Sequence, residues 1–160
     1  MVPVAGLFGC SLGITLMQTL PHNYSVRASS AVGKTVLLSS QGIPDLETEA
    51  PPEFGGPGGL WSPEHMFAGT VANCFILSFR AVATASKLEW TSIDCDVEAI
   101  LDRVERATKF TEIRIKTALR VPPGADAEKA KKLLAKAKKI CLITNSMTTE
   151  ITLETDVVTA

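Results

Sequence analysis

The chemistry available to this 160-residue chain is concentrated in its cysteines: Cys10, Cys74, Cys95 and Cys141. A thiolate is a strong nucleophile and can be oxidised stepwise. A buried thiol with no cation or hydrogen-bond donor beside it is only a small hydrophobe. Cys74 lies in the middle of an apolar run, Ser62–Ala85, and Cys141 closes a lysine-rich stretch. Two thiols on separate helices form a redox couple if the fold brings them together, and are otherwise packing. Cys95 occupies an inward position of an alternating segment, which is a packing position. Glu64, ten residues before Cys74, is a carboxylate at the start of the same helical run.

Other chemistries are poorly supported. The cysteines form no C-x-x-C pair, and the histidines, His22 and His65, build no Cys/His cluster, so no zinc site is indicated. No metal or organic cofactor is expected. Four dispersed cysteines are not a disulfide framework, which makes a reducing cytoplasm the expected compartment. The net charge is −1, with 46% hydrophobic and 21% charged residues. That composition fits one globular domain and gives no footprint for nucleic acid or an anionic membrane. The lysines of Lys129–Lys139 read as the wet side of a helix. Phe54–Gly59 is glycine-rich but lacks the phosphate-loop pattern, and is expected to make a tight or flexible connection.

The first residues, MVPVAGLFGCSLGITL, are apolar and uncharged. They lack the basic region of a secretory signal and are too short to span a bilayer. Residues 1–21 are therefore expected to be an extension, or a consequence of a natural start at Met17, and residues 22–160 the domain. Cys10 carries little weight.

The elements that must position the cysteines follow from periodicity. Tyr24–Ser29 and Thr35–Ser40 alternate around Val32-Gly33 and predict a β-hairpin. Ile43–Pro52 is either irregular or a short strand. Ser62 as N-cap, Pro63 at the first helical position and Glu64 in the first turn predict a helix over Pro63–Ala85. That helix is apolar on nearly all sides, so burial on every side is expected, and with it a second subunit. Ser92–Leu101 and Phe110–Val121 alternate as antiparallel strands with one wet face. Ala127–Ile140 is an amphipathic helix, and Thr149–Val157 a last alternating strand. The order is ββ-α-ββ-α-β, an α+β domain.

Ser62-Pro63-Glu64-His65-Met66-Phe67-Ala68 with Ala72-Asn73-Cys74-Phe75, and Lys139-Ile140-Cys141-Leu142-Ile143-Thr144-Asn145-Ser146, resemble the family of osmotically inducible protein C and organic hydroperoxide resistance protein (OsmC/Ohr). The approach Glu53–Gly59 is similar to that of the hydroperoxide resistance branch. The resemblance runs from about Asn23 to Val158. It implies an OsmC-like fold, with an antiparallel sheet wrapped around a long central helix in an intertwined homodimer. It also implies thiol peroxidase chemistry on a hydroperoxide substrate. By motif match Cys74 is the peroxidatic cysteine, Cys141 the resolving one and Glu64 the active-site glutamate. An external dithiol reduces the resulting disulfide, and no cofactor, nucleic acid or membrane is involved.

The family also places an arginine from the N-terminal hairpin on the thiolate. Here that position falls near Gly33-Lys34. Arg27, Lys34 and Arg80 are the candidate activating cations, and a lysine lacks the bidentate fork of arginine. Met66, Phe67 and Phe75 are candidates to line a pocket for an organic peroxide, or are core. The missing hairpin arginine leaves an alternative open: a non-catalytic dimeric binding or stress protein on the same fold.

Overall fold

A computed structural model of the chain describes residues 19–159. Cys10 and Met17, with most of the expected extension over residues 1–21, lie outside the described residues.

The N-terminal strands β1 (Arg27–Ser29), β2 (Val36–Ser40) and β3 (Ile43–Thr48) form an antiparallel sheet in that order. The segment after Gln41-Gly42 is thus a strand, although it carries Pro44, Asp45 and Glu47. Pro44 has no N–H to give, and β3 sits at the sheet edge, where that omission is tolerated. Proline and glycine then turn the chain back. A Cβ at Gly56 would lie 1.8 Å from the Ala50 carbonyl oxygen, so only glycine fits there. The reversal lets the Glu49 N–H donate to the Trp61 carbonyl at 3.0 Å, which delivers the chain to the first helix.

Helix α1 (Pro63–Ala85) has the expected bounds. The Ser62 hydroxyl accepts from the His65 N–H at 3.2 Å and Pro63 occupies the first turn, so the end is capped as the sequence predicts. Val71, Phe75, Phe79, Val82 and Ala83 are its buried line. They pack with Ile113, Ile115, Leu119 and Val121 of the second sheet and Leu133, Leu134 and Ala137 of α2 (Ala127–Ile140). Phe79 meets Trp90 edge-on, with ring centroids 5.5 Å apart. The helix is long and apolar enough to cross a membrane by length and composition alone, yet this line is spent on the core.

The second sheet comprises β4 (Ser92–Val104), β5 (Ala107–Val121) and β6 (Glu150–Thr159), in that order. Strands β4 and β5 are an antiparallel hairpin. Strand β6 differs from the expected antiparallel sheet, because it runs parallel to β5, with Ile115 opposite Leu153 and Leu119 opposite Val157. Helix α2 and a four-residue helix, α3 (Leu142–Asn145), carry the chain back across the sheet before β6 begins, and such a crossover produces parallel neighbours. Burial on all sides of α1 is not met within one chain, since Leu77 stays 50% exposed.

Candidate functional site

Cys74 projects from the middle of α1, where it is partly exposed, and Cys141 is fully buried at the joint between α2 and α3. The joint exists because Cys141 leaves the helical region, at φ −64° and ψ 113°. The carbonyls freed at the end of α2 find donors on α3. The Thr144 hydroxyl donates to the Cys141 carbonyl at 3.1 Å, and the Asn145 side-chain amide donates to the Lys139 carbonyl at 3.0 Å. On the other side, the Lys138 ammonium donates to the Ile151 carbonyl at 2.6 Å and ties α2 to β6. The sulfur is thus held by a hydrogen-bonded clasp.

The fold brings Cys74 and Cys141 close enough for each thiol to act on the other's titration. Burial is the largest influence on Cys74 and pushes its thiol up. The Ile143 N–H and the Ser78 hydroxyl, which donate to its sulfur, offset this only in part. At Cys141 burial also pushes upward and is again the largest single influence. There, interactions with Thr144, Cys74 and Ile143 together outweigh burial and pull the Cys141 thiol below its ordinary value.

Ser78 is not marked by the sequence reading, and Ile143 and Thr144 stand there only as part of the motif around Cys141. Ser78 was within reach of the rule that residues four apart share a helix face. A threonine three residues after a helix break is a weaker signal.

The other expected site residues are elsewhere. Glu64 and Cys74 are ten residues apart on one helix, about 15 Å along its axis at 1.5 Å per residue. One Glu64 oxygen, Oε2, is buried with no hydrogen-bond partner among the described residues. It borders a pocket of about 310 Å³ whose lining includes Pro51, Phe54, His65, Leu101 and Phe110. Of the expected pocket side chains, Phe75 is fully buried core, and Phe67 stacks on Phe110 with centroids 4.2 Å apart. Cys74 does not border this pocket.

The candidate cations are spread over three places in the described residues. Arg27 lies exposed on β1, Lys34 in the turn before β2, and Arg80 on an exposed face of α1. The groups acting on the Cys74 sulfur are Ile143, Cys141 and Ser78, with no guanidinium or ammonium among them.

Cys95 keeps its packing position, partly buried against the core on β4. Burial, with smaller contributions from Asp96 and Cys141, pushes its thiol up to about 11. Among the described residues no group of three His, Cys, Asp or Glu side chains could hold a metal ion.

Comparison with known proteins identifies the family of the chain. An uncharacterised protein of Acinetobacter baylyi is 32% identical over 138 residues, covering 85% of this chain and 94% of its own. The organic hydroperoxide resistance protein of Xanthomonas axonopodis pv. citri is 29% identical over 127 residues, covering 77% of this chain and 86% of its own. A crystal structure from Legionella pneumophila, described as an organic hydroperoxide resistance protein OsmC and predicted redox protein, superposes with a TM-score of 0.67 at 25% identity. It covers 86% of this chain and 98% of its own. The family model for OsmC-like proteins matches residues 56–156, a span that holds α1, Cys74, Cys141 and the second sheet up to Asp156 in β6, and the chain belongs to the OsmC-like protein family.

Proposed function

We propose that this protein is a thiol peroxidase that reduces organic hydroperoxides through Cys74 and Cys141. The observation that carries the reading is that these two thiols, on separate helices, are near enough to act on each other in a chain of this family. Cys74, the more exposed of the pair, attacks the O–O bond and becomes a sulfenic acid, and the alcohol leaves. Cys141 then attacks the Cys74 sulfur, releasing water and forming a disulfide. An external dithiol reduces the disulfide by exchange in the cytoplasm.

In this reading the working unit is a homodimer. Its support is the apolar surface that one chain leaves uncovered: Leu77 on α1 is 50% exposed, Trp61 54% and Tyr24 90%. Such a surface on the longest helix and on the segments flanking the N-terminal sheet is suited to a second copy. The second copy brings its own Glu64 and a cation, Arg27, Lys34 or Arg80, towards Cys74.

The test is turnover of an organic hydroperoxide with a dithiol reductant. Cys74→Ser abolishes it, and one equivalent of peroxide converts the wild-type chain to a Cys74–Cys141 disulfide visible by mass. Turnover retained without Cys74 sinks the reading.

One observation favours a second reading, a non-catalytic dimeric binding protein: within one chain no cation acts on Cys74, and burial holds its thiol up. Under that reading excess peroxide leaves both thiols reduced on the timescale of the assay.

A further inference from the structure

Glu64 stands in the first turn of α1, where a carboxylate commonly serves the helix end. Its Oε2 does not, because that oxygen is buried and has no hydrogen-bond partner among the described residues. Ser62 already caps the helix, accepting from the His65 N–H at 3.2 Å. The same hydroxyl lies 2.9 Å from His65 Nδ1, so that ring nitrogen is engaged with Ser62 and not with Glu64. A buried polar atom left unpaired is costly, and a charged one more so.

Glu64 instead borders the pocket of about 310 Å³, whose other walls are apolar. Ala68 comes from α1, Ala99 and Leu101 from β4, and Phe110 from β5. Leu101 and Phe110 are partners in the β4–β5 register, and Phe67 stacks on Phe110 with centroids 4.2 Å apart. The aromatic wall is therefore fixed from two sides. Phe54, 58% exposed, adds a second aromatic face from the reversal before Gly56.

The acidic and basic side chains of the lining are of one sign. Glu53 and Glu64 border the pocket, and no lysine or arginine does. Small-molecule sites are mostly apolar wall with a few polar groups that fix orientation. Here the walls suit a compact apolar body, and the unpaired oxygen requires an N–H or O–H donor. Two carboxylates and two aromatic faces favour a donor that is positively charged. A ligand bearing a carboxylate would meet like charge at both Glu53 and Glu64.

We propose that this pocket binds a small amine, whose ammonium donates to Glu64 Oε2 and whose apolar body lies against Phe54, Leu101 and Phe110. The site goes beyond the peroxidase reading and does not rest on it, since Cys74 does not border the pocket.

The experiment is calorimetric titration of the reduced full-length protein at neutral pH with phenethylamine, set against phenethyl alcohol and phenylacetate. These probes share one apolar body and carry a positive, a neutral and a negative head. The amine binds saturably, the alcohol about tenfold more weakly, and phenylacetate not at all. Glu64→Gln weakens the amine by about tenfold or more, the size of a lost hydrogen bond between charged groups, and brings amine and alcohol level. Ala99→Leu fills the pocket from the β4 wall, leaves the carboxylate in place, and removes binding of both. Equal affinity of the wild type for amine and alcohol overturns the proposal, as does a Glu64→Gln or Ala99→Leu variant, folded by circular dichroism, that binds the amine as the wild type does. No saturable binding at millimolar amine also overturns it, the result expected if a lysine or arginine of a second copy occupies the Glu64 oxygen. If Glu64→Gln does not fold, the three probes on the wild type and Ala99→Leu decide. Peroxide consumption is a separate readout, so failure of the amine site and failure of the peroxidase reading are told apart.

Discussion

The corner where α1 meets α3 and the middle of β4 both hold cysteine against the same core, and they treat it in opposite ways. On β4, Cys95 stands opposite Thr117 in the register, is partly buried, and feels burial and the carboxylate of Asp96. Both favour the neutral thiol. At the corner, Cys141 is fully buried, yet its thiol is pulled down by its interactions with Thr144, Cys74 and Ile143. Burial alone therefore does not decide whether a cysteine is inert. The number of hydrogen-bond donors that survive burial beside it decides.

The comparison breaks most visibly through activity. Cys74→Ser should take peroxide turnover to background, while Cys95→Ser should keep it within about twofold, as expected for a residue in packing only. Loss of turnover in the β4 variant, measured with the same peroxide and dithiol, would give Cys95 a chemical role and erase the distinction.

A smaller effect sharpens it. Ser78→Ala removes one donor to Cys74 and leaves the other partners in place, so the rate constant for oxidation should fall by about tenfold. An unchanged rate, with the fold checked by circular dichroism, would mean that the donors do not set reactivity at the corner.

The smallest effect is on stability. The folded Cys95 thiol, raised to about 11, still holds its proton where the unfolded thiol, near 9.0, has released it. Its contribution is fully present below pH 9.0 and is lost as pH rises through about 11. Denaturant unfolding from pH 8 to 11 should show that loss in the wild type and a flatter profile in Cys95→Ala. Identical slopes would contradict the burial of Cys95.

Much of this contrast was legible in the amino-acid order. Both long helices have the bounds that Ser62-Pro63-Glu64 and the amphipathic run after Asp126 predict, because capping and periodicity are local. The inward position of Cys95 followed from strand alternation in the same way. Strand β3 was obscured by Pro44 and its acidic residues, since an edge strand with mostly exposed side chains has no apolar stripe to read. The parallel direction of β6 depends on where a crossover lands, which alternation does not encode. The pairing of Cys74 with Cys141 came from motif resemblance, and part of what distinguishes them is backbone N–H groups, which any sequence at α3 would carry. Their direction is set by the break in the chain at Cys141, a matter of φ and ψ.

The clasp around that break also has a kinetic meaning. Lys138 anchors the end of α2 to β6, and Thr144 and Asn145 fasten α3 to that same end of α2. Cys141 therefore meets Cys74 as a tethered group whose freedom was already lost on folding, and its effective molarity far exceeds that of any thiol or peroxide in solution. In a peroxidase this turns into a race with a fixed winner. The newly formed sulfenic acid encounters Cys141 before a second peroxide arrives, so the oxidation stops at the disulfide and stays short of the irreversible sulfinic and sulfonic acids.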